Sequence, residues 1–402
     1  YIDIKNIFKI IGGLLFTGKI IVDGLNSGNF LTKAMKEICK ENNVYKMNDL
    51  RMPIAVPAVN IQNGEVIISK KGIIKESTIG PAFNMSFEPG HVLLMSRNPH
   101  LRKAGVVDFS GICSNVSYVC ETKDEEKLRQ KFLPFIFQSE IFWRFAEANK
   151  KGSTNFFLNW SDFERFEFAL PSIQEQDKLI ELLWAANNTK EAYKKLLYIT
   201  DELIKSQFIE MFGEPISNNK KWETDLLKNV APEYAPTIND TELVWWLNLD
   251  MIEPNSGKLI ERVMVPKNDV GNSTSTFDNT MVLYSKLRPY LNKVIVPDAE
   301  GYRTTELVGM KPDPSRINKV FLAYLLRSDQ FVDFSNRISG GAQMPRMPMK
   351  VLREFNCILP PLELQYEFVT LTQNVNKSKV ELQQNINNLD KTIKAIMAKN
   401  FG

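Results

Sequence analysis

The stretch Leu170-Pro171-Ser172-Ile173-Gln174-Glu175-Gln176 returns, 189 residues later, as Leu359-Pro360-Pro361-Leu362-Glu363-Leu364-Gln365. Around it the match spreads without a gap from 132–213 onto 321–402. Phe132-Leu133 meets Phe321-Leu322, Ser139 meets Ser328, and Phe142 and Phe145 meet Phe331 and Phe334. Lys190 meets Lys379, Asp201 meets Asp390, and Phe212-Gly213 meets Phe401-Gly402. A period this long describes a duplicated domain, because solenoid units repeat every ~20–50 residues. Two like units in one chain suit a target with two separated halves.

After each Leu-Pro comes a long amphipathic segment without proline or glycine. Ser172-x-x-Glu175 reads as a capping box. Leu179, Leu182, Ala186, Tyr193, Leu197, Thr200 and Ile204 then follow at steps of three, four and seven. Phe368, Leu371, Val375, Leu382, Ile386, Leu389 and Ile393 repeat the pattern. This is the seam of a coiled coil over helices of about 57 Å. The expected solution is that the two helices pair with each other, antiparallel if a dyad relates the repeats.

The rest reads as mixed α/β (α+β). Strands are expected at Glu65–Ser69, His91–Met95, Leu243–Leu249, Met281–Tyr284 and Lys293–Val296, and one helix over Asn318–Asn336. The expected division is a first domain over 1–168, a helix over 169–213, a linker over 214–221, a second domain over 222–358 and a helix over 359–402. Lys5-Asn6-Ile7 resembles Lys228-Asn229-Val230 at a separation of 223, which falls to 193 by Gly64 and Gly257. That predicts an insertion in the first domain, with a short helix at Leu31–Asn42. Ser96-Arg97 is expected to answer Ser285-Lys286, with one residue inserted before Pro289-Tyr290-Leu291 answers Pro99-His100-Leu101.

Composition narrows the function. The chain has 402 residues, 44% hydrophobic and 24% charged, and no apolar run near the roughly 18 residues a membrane span needs. Cys39, Cys113, Cys120 and Cys357 form no CxxC pair, so a reducing cytoplasm is expected. A net charge of +3 does not by itself prove a nucleic-acid partner. Only two histidines, His91 and His100, are present, which argues against a histidine metal site or a repeated triad. No GxxxxGK[ST] loop, GxGxxG loop or Asn-Pro-Pro-aromatic tetrad occurs. No catalytic residue, metal site or cofactor of its own is expected.

Two pairs of loops carry suitable chemistry for DNA without catalysis. The first pair holds Arg97, Asn98, Arg102 and Lys103 in one repeat and Lys286, Arg288, Tyr290 and Lys293 in the other. The second pair holds Lys151 and Asn155, and Gln343 and Arg346. Cations neutralise phosphates, while Arg, Asn and Gln can pair bidentately with base edges.

The chain resembles the DNA-specificity (S) subunits of type I restriction-modification systems. The resemblance rests on Ala169-Leu-Pro-Ser-Ile-Gln-Glu-Gln176, on Ser206-Gln-Phe-Ile-Glu-Met-Phe-Gly213, on Val282-Leu-Tyr-Ser-Lys-Leu-Arg-Pro-Tyr-Leu-Asn-Lys293 and on Leu359-Pro-Pro-Leu-Glu-Leu-Gln365, and it extends over essentially the whole chain. It implies two target-recognition domains in pseudo-twofold tandem, separated by two long antiparallel coiled-coil helices and reading a split site in double-stranded DNA. It also implies docking of two methyltransferase (M) subunits on the helices and addition of restriction (R) subunits. S-adenosylmethionine, ATP and Mg would then belong to those partners. The departures are Leu364 in place of Glu175, the missing capping serine, and Asn98-Pro99-His100 against Leu287-Arg288-Pro289-Tyr290. The alternatives are a stand-alone DNA-binding adaptor, or a coiled-coil scaffold for another methyltransferase or defence system.

Overall fold

The computed structural model describes residues 31–34, 55–56, 65–68, 72–73, 82–239, 241–340 and 343–401. The chain divides into two compact units, Tyr1–Ala192 with Asn385–Gly402, and Tyr193–Gln384. The division falls inside the long helices.

In unit 1, β1 (Leu31–Ala34) pairs antiparallel with β9 (Glu167–Leu170), and β2 (Ala55–Val56) pairs with β3 (Gly72–Ile73). β4 (Phe83–Phe87) pairs with β7 (Gly111–Ser114), and β5 (Val92–Met95) lies between β6 (Ala104–Val106) and β8 (Ser117–Cys120). Short helices α1 (Leu133–Ile136), α2 (Glu140–Ala148) and α3 (Trp160–Phe163) pack over this framework before the long α4 (Ile173–Phe212) begins. Their core is aromatic: Phe132, Phe135, Phe137, Phe142, Phe163 and Phe166 are all buried. Each such ring contributes about 1.5–3 kcal/mol through burial.

Unit 2 repeats the plan. β10 (Glu223–Leu226) leads into α5 (Leu227–Val230), and β11 (Leu243–Leu247), β12 (Val263–Pro266), β13 (Thr274–Phe277) and β16 (Gly301–Thr304) form one sheet in the order β12-β11-β16-β13. β14 (Val282–Ser285) lies between β15 (Val294–Ile295) and β17 (Leu307–Met310). α6 (Lys319–Arg327), α7 (Asp329–Ile338) and α8 (Met349–Arg353) precede β18 (Asn356–Leu359), which pairs with β10, and the long α9 (Leu362–Phe401) follows.

The expected single helix over Asn318–Asn336 is therefore two. Ser328 adopts extended backbone and its hydroxyl accepts from Phe331 N, so α7 starts anew. Of the Glu65–Ser69 expectation, Ile67 forms only an isolated bridge to Val106, and Ser69 lies outside the described residues. Leu31–Ala34 is a strand and not the start of a helix; the remainder of that expected helix lies outside the described residues.

Strand register also corrects the expected insertion. Leu31 stands opposite Leu170 as Glu223 stands opposite Leu359, so these positions correspond at a separation of 192, close to the 193 of Gly64 and Gly257. Between those points no thirty-residue insertion remains, and Lys5–Ile7 lie outside the described residues. At β5 the register likewise places Met95, not Ser96, at the position of Ser285. The turn after it has no inserted residue, and Ser96 answers Lys286.

The repeated glutamine has a structural purpose. Gln176, fully buried, accepts from Arg129 N (3.0 Å) and donates to the carbonyls of Lys127 and Pro171 (both 2.9 Å). Gln365 accepts from Asn318 N (2.8 Å) and donates to Arg316 O (3.2 Å) and Pro360 O (2.8 Å). Each clamps the first turn of a long helix to the segment that leads into its domain helices. Ser172 and Glu175 form the expected capping box, with Ser172 N donating to Glu175 Oε2 (3.0 Å) and Glu175 N to Ser172 Oγ (3.4 Å).

Within unit 1, Ala186 and Leu179 of α4 join Ile393, Ile396 and Met397 of α9 in one core. Within unit 2, Ile204, Phe208 and Phe212 of α4 join Phe368 and Val375 of α9. The start of one helix thus meets the end of the other in both places, as antiparallel helices must. Lys190 Nζ lies 3.0 Å from Asp390, and Lys379 pairs with Asp201. The same pair of repeat positions thus forms an ion pair within each unit. Along the seam Leu179, Ile204, Phe368, Leu382, Ile386 and Ile393 are buried, while Leu182, Tyr193, Leu197 and Leu371 are half-buried. Asn187 is fully buried there, and neither side-chain amide atom has a hydrogen-bond partner.

The interdomain segment is an ordered cap. Asn219 Oδ1 accepts from Glu214 N (2.9 Å), Trp222 Nε1 donates to Phe212 O (2.7 Å), and Gly213 takes a φ of 75°. Cys113, Cys120 and Cys357 are buried, and burial pushes the thiols of Cys113 and Cys357 up to about 12; Cys39 lies outside the described residues.

Candidate nucleic-acid interface

The turns after β5 and β14 follow one backbone path. A single 3-10 turn, Pro99–Leu101 or Pro289–Leu291, is flanked on both sides by residues in left-handed conformation. These are Asn98 (φ 52°) and Arg102 (φ 48°) in unit 1, and Arg288 (φ 50°) and Asn292 (φ 48°) in unit 2. A left-handed residue other than glycine costs on the order of 1 kcal/mol, so two per turn mark a frame held by its surroundings.

Those surroundings include the second loop of each unit. Asn98 N donates to Phe156 O (2.8 Å) and Leu158 N to Ser96 O (2.9 Å). In unit 2, Arg288 N donates to Pro345 O (2.7 Å) and Met347 N to Lys286 O (2.8 Å). The two loops that stood apart in sequence are thereby joined, by equivalent bonds, in both units. Gly152 shapes the second loop of unit 1 at a φ of 98°, where a β-carbon would lie 2.5 Å from Asn155 O.

The proposed contact residues divide by environment. Arg97, Lys151, Asn155, Tyr290, Gln343 and Arg346 are exposed, and Asn98, Lys286 and Arg288 are half-buried. Arg288 Nε is buried without a partner. Arg346 Nη2 lies 3.1 Å from Glu306, and Lys151 Nζ lies 3.9 Å from Asp162. Two cations are turned into the fold. Arg102 Nη1 lies 2.5 Å from Glu140 and its Nε 3.8 Å from Glu147, both on α2. Lys293 Nζ donates to Leu249 O (2.7 Å), and burial lowers its pKa. Lys103 is half-buried, its carbonyl accepting from Met95 N. Sequence reasoning missed Phe157 and Met344, which are 38% and 51% exposed on the second loops. An aromatic or thioether in an otherwise polar loop was the available signal.

Among the described residues no group of three or more histidine, cysteine, aspartate or glutamate side chains could hold a metal, and no helix is long and apolar enough to cross a membrane.

No family model matches the chain. A curated relative, the type I restriction enzyme EcoDI specificity subunit of Escherichia coli, is 23% identical over 319 residues, covering 68% of this chain and 70% of that protein. The fold is shared with two solved structures. A type I restriction-modification S subunit from M. genitalium matches with a TM-score of 0.55 at 14% identity, over 94% of this chain and 98% of that one. A chain from a structural study of the assembly and conformational transition of the type I R-M system matches with a TM-score of 0.57 at 15% identity, over the same shares. The chain is thus similar in sequence to a type I restriction enzyme specificity subunit over two thirds of both proteins, and it shares a fold with two solved chains over nearly its whole length.

Proposed function

We propose that this chain is the DNA address of a type I restriction-modification complex. It is a specificity subunit and not itself an enzyme. Residues 1–168 and 222–358 would each serve as a target-recognition domain in pseudo-twofold tandem, joined by the linker 214–221. The helical segments 169–213 and 359–402 would act as the spacer between them. Each domain would read one half of a split double-stranded DNA site. Two M subunits would dock on the helices, with R subunits joining them in the cytoplasm. S-adenosylmethionine, ATP and Mg would be held by those partners, and methyl transfer to adenine, which the family resemblance implies, would occur there.

The observation that carries this reading is the recurrence, in each unit, of the same strained turn bonded to the same second loop, with cations on its exposed side. A scaffold has no need to build that cluster twice. Co-expression with the methyltransferase encoded beside it, followed by genome-wide mapping of methylated positions, tests the reading. A split motif with a spacer of constant length is expected. A stable complex that methylates no such motif would overturn it. Arg288→Ala should weaken binding through the second half-site while leaving assembly intact.

A further inference from the structure

The two units differ in chemistry at a place where their backbones agree. In unit 1, Arg97 and Phe157 form an antiparallel bridge, and the flanking bonds from Asn98 N to Phe156 O and from Leu158 N to Ser96 O make it a non-hydrogen-bonded pair. Side chains in such a pair lie close together on one face. On its other side Phe157 exchanges both backbone bonds with Lys151 (2.8 and 2.9 Å). Lys151, Phe157 and Arg97 therefore form a row, with the aromatic ring between two exposed cations. The corresponding row in unit 2 is Gly340, Arg346 and Leu287, built on equivalent bridges. Its central position carries a guanidinium, steadied by Glu306.

We infer that the centre of this row is the base-reading position of each unit: Phe157 makes an apolar contact to a thymine methyl in the first half-site, and Arg346 pairs with a guanine edge in the second. The inference rests on the reading of the chain as a DNA-specificity subunit. The thymine methyl is the one apolar group on a major-groove base edge, and the guanidinium fork matches guanine O6 and N7. Arg97 and Lys151 flank the ring as phosphate contacts, which hold register without reading sequence. What the units share, the turn and its bonds, cannot distinguish two half-sites. What occupies the centre of the row can.

The test uses the complex with its methyltransferase, carrying the wild-type chain, Phe157→Ala, Arg346→Lys or Arg97→Ala. Phe157→Ala should relax one A·T position of the first half-site and leave the second half unchanged. Arg346→Lys keeps the charge and loses the fork, so affinity for non-cognate DNA should hold while preference for one G·C pair in the second half falls roughly tenfold to a hundredfold. Arg97→Ala should lower affinity equally for all sequences and reduce the salt slope by about one. A wild-type complex that methylates a split motif, with every position unchanged in Phe157→Ala and Arg346→Lys, would overturn the inference alone. If the wild-type complex methylates no split motif, the underlying function falls first. Arg346, half-exposed, supplies a second independent variant should Phe157→Ala unfold.

Discussion

The turn after β5 and the turn after β14 trace the same path yet are fastened to their helices by different chemistry. In unit 1 the second left-handed residue is Arg102, whose guanidinium reaches Glu140 and Glu147 on α2. In unit 2 the same position is Asn292, buried, whose side-chain amide donates to Arg327 O at the end of α6 (3.0 Å). An ionic fastener tolerates water and weakens with salt, whereas a buried amide is indifferent to salt and sensitive to any loss of its partner. The backbone frame is what the duplication retained, and the means of holding it diverged. By contrast, the glutamine clamp is identical in both units, and there the two halves should behave alike.

The clamp gives the largest expected effect. Gln176→Ala and Gln365→Ala each remove three hydrogen bonds and leave backbone groups unpaired, at a cost of about 3 kcal/mol apiece. Urea unfolding of the two variants should give matching losses; a large inequality would break the symmetry argued for the frame. The fasteners should separate next. Asn292→Ala loses a buried hydrogen bond and places alanine at positive φ, costing about 2 kcal/mol at any ionic strength. Arg102→Ala should cost under about 1 kcal/mol at low salt and almost nothing at high salt, because the pair is partly exposed. Equal salt dependence in the two variants would erase the distinction.

The helix seam offers a gain. Asn187 buries both amide atoms unpaired, while the corresponding Asn376 is exposed. Asn187→Leu should stabilise the protein by about 1–2 kcal/mol, and Asn376→Leu should change it little. Thermal melting of both variants checks this, and an unchanged or lower melting point for Asn187→Leu would show that the amide is satisfied in solution.

The smallest effect concerns pH. Asn229, Arg316 and the Leu226 N–H donate to Asp225 and hold its carboxyl below the usual carboxylate range. A depressed folded pKa means stability that is present above the ordinary carboxylate range and lost as pH falls through the folded value. The residue that strand register places at this position in unit 1 is Lys33, which carries no carboxylate. Asp225→Asn should therefore flatten the acid side of the stability profile, read as the urea midpoint against pH.

Much of the architecture was legible in one dimension because its determinants are local or strictly repeated. Helix length follows from an unbroken heptad and the helix start from Ser172 and Glu175. Where the reading failed, short matches had been asked to carry register. A serine coincidence shifts the turn by one residue, which backbone pairing to β8 corrects, and pairing to β9 sets the separation of the repeats at 192 from Leu31 onward.

The sequence by itself determined the duplication, the two long helices and the loops that carry cations. Only the tertiary structure decided which cations face outward. Arg102 finds its carboxylate 38 residues away and Lys293 its carbonyl 44 residues away. Arg97 stands opposite Phe157 only because two separated loops join through backbone bonds. Helical periodicity is set between residues three or four apart, whereas the partner of a loop side chain is set by the path of the whole chain.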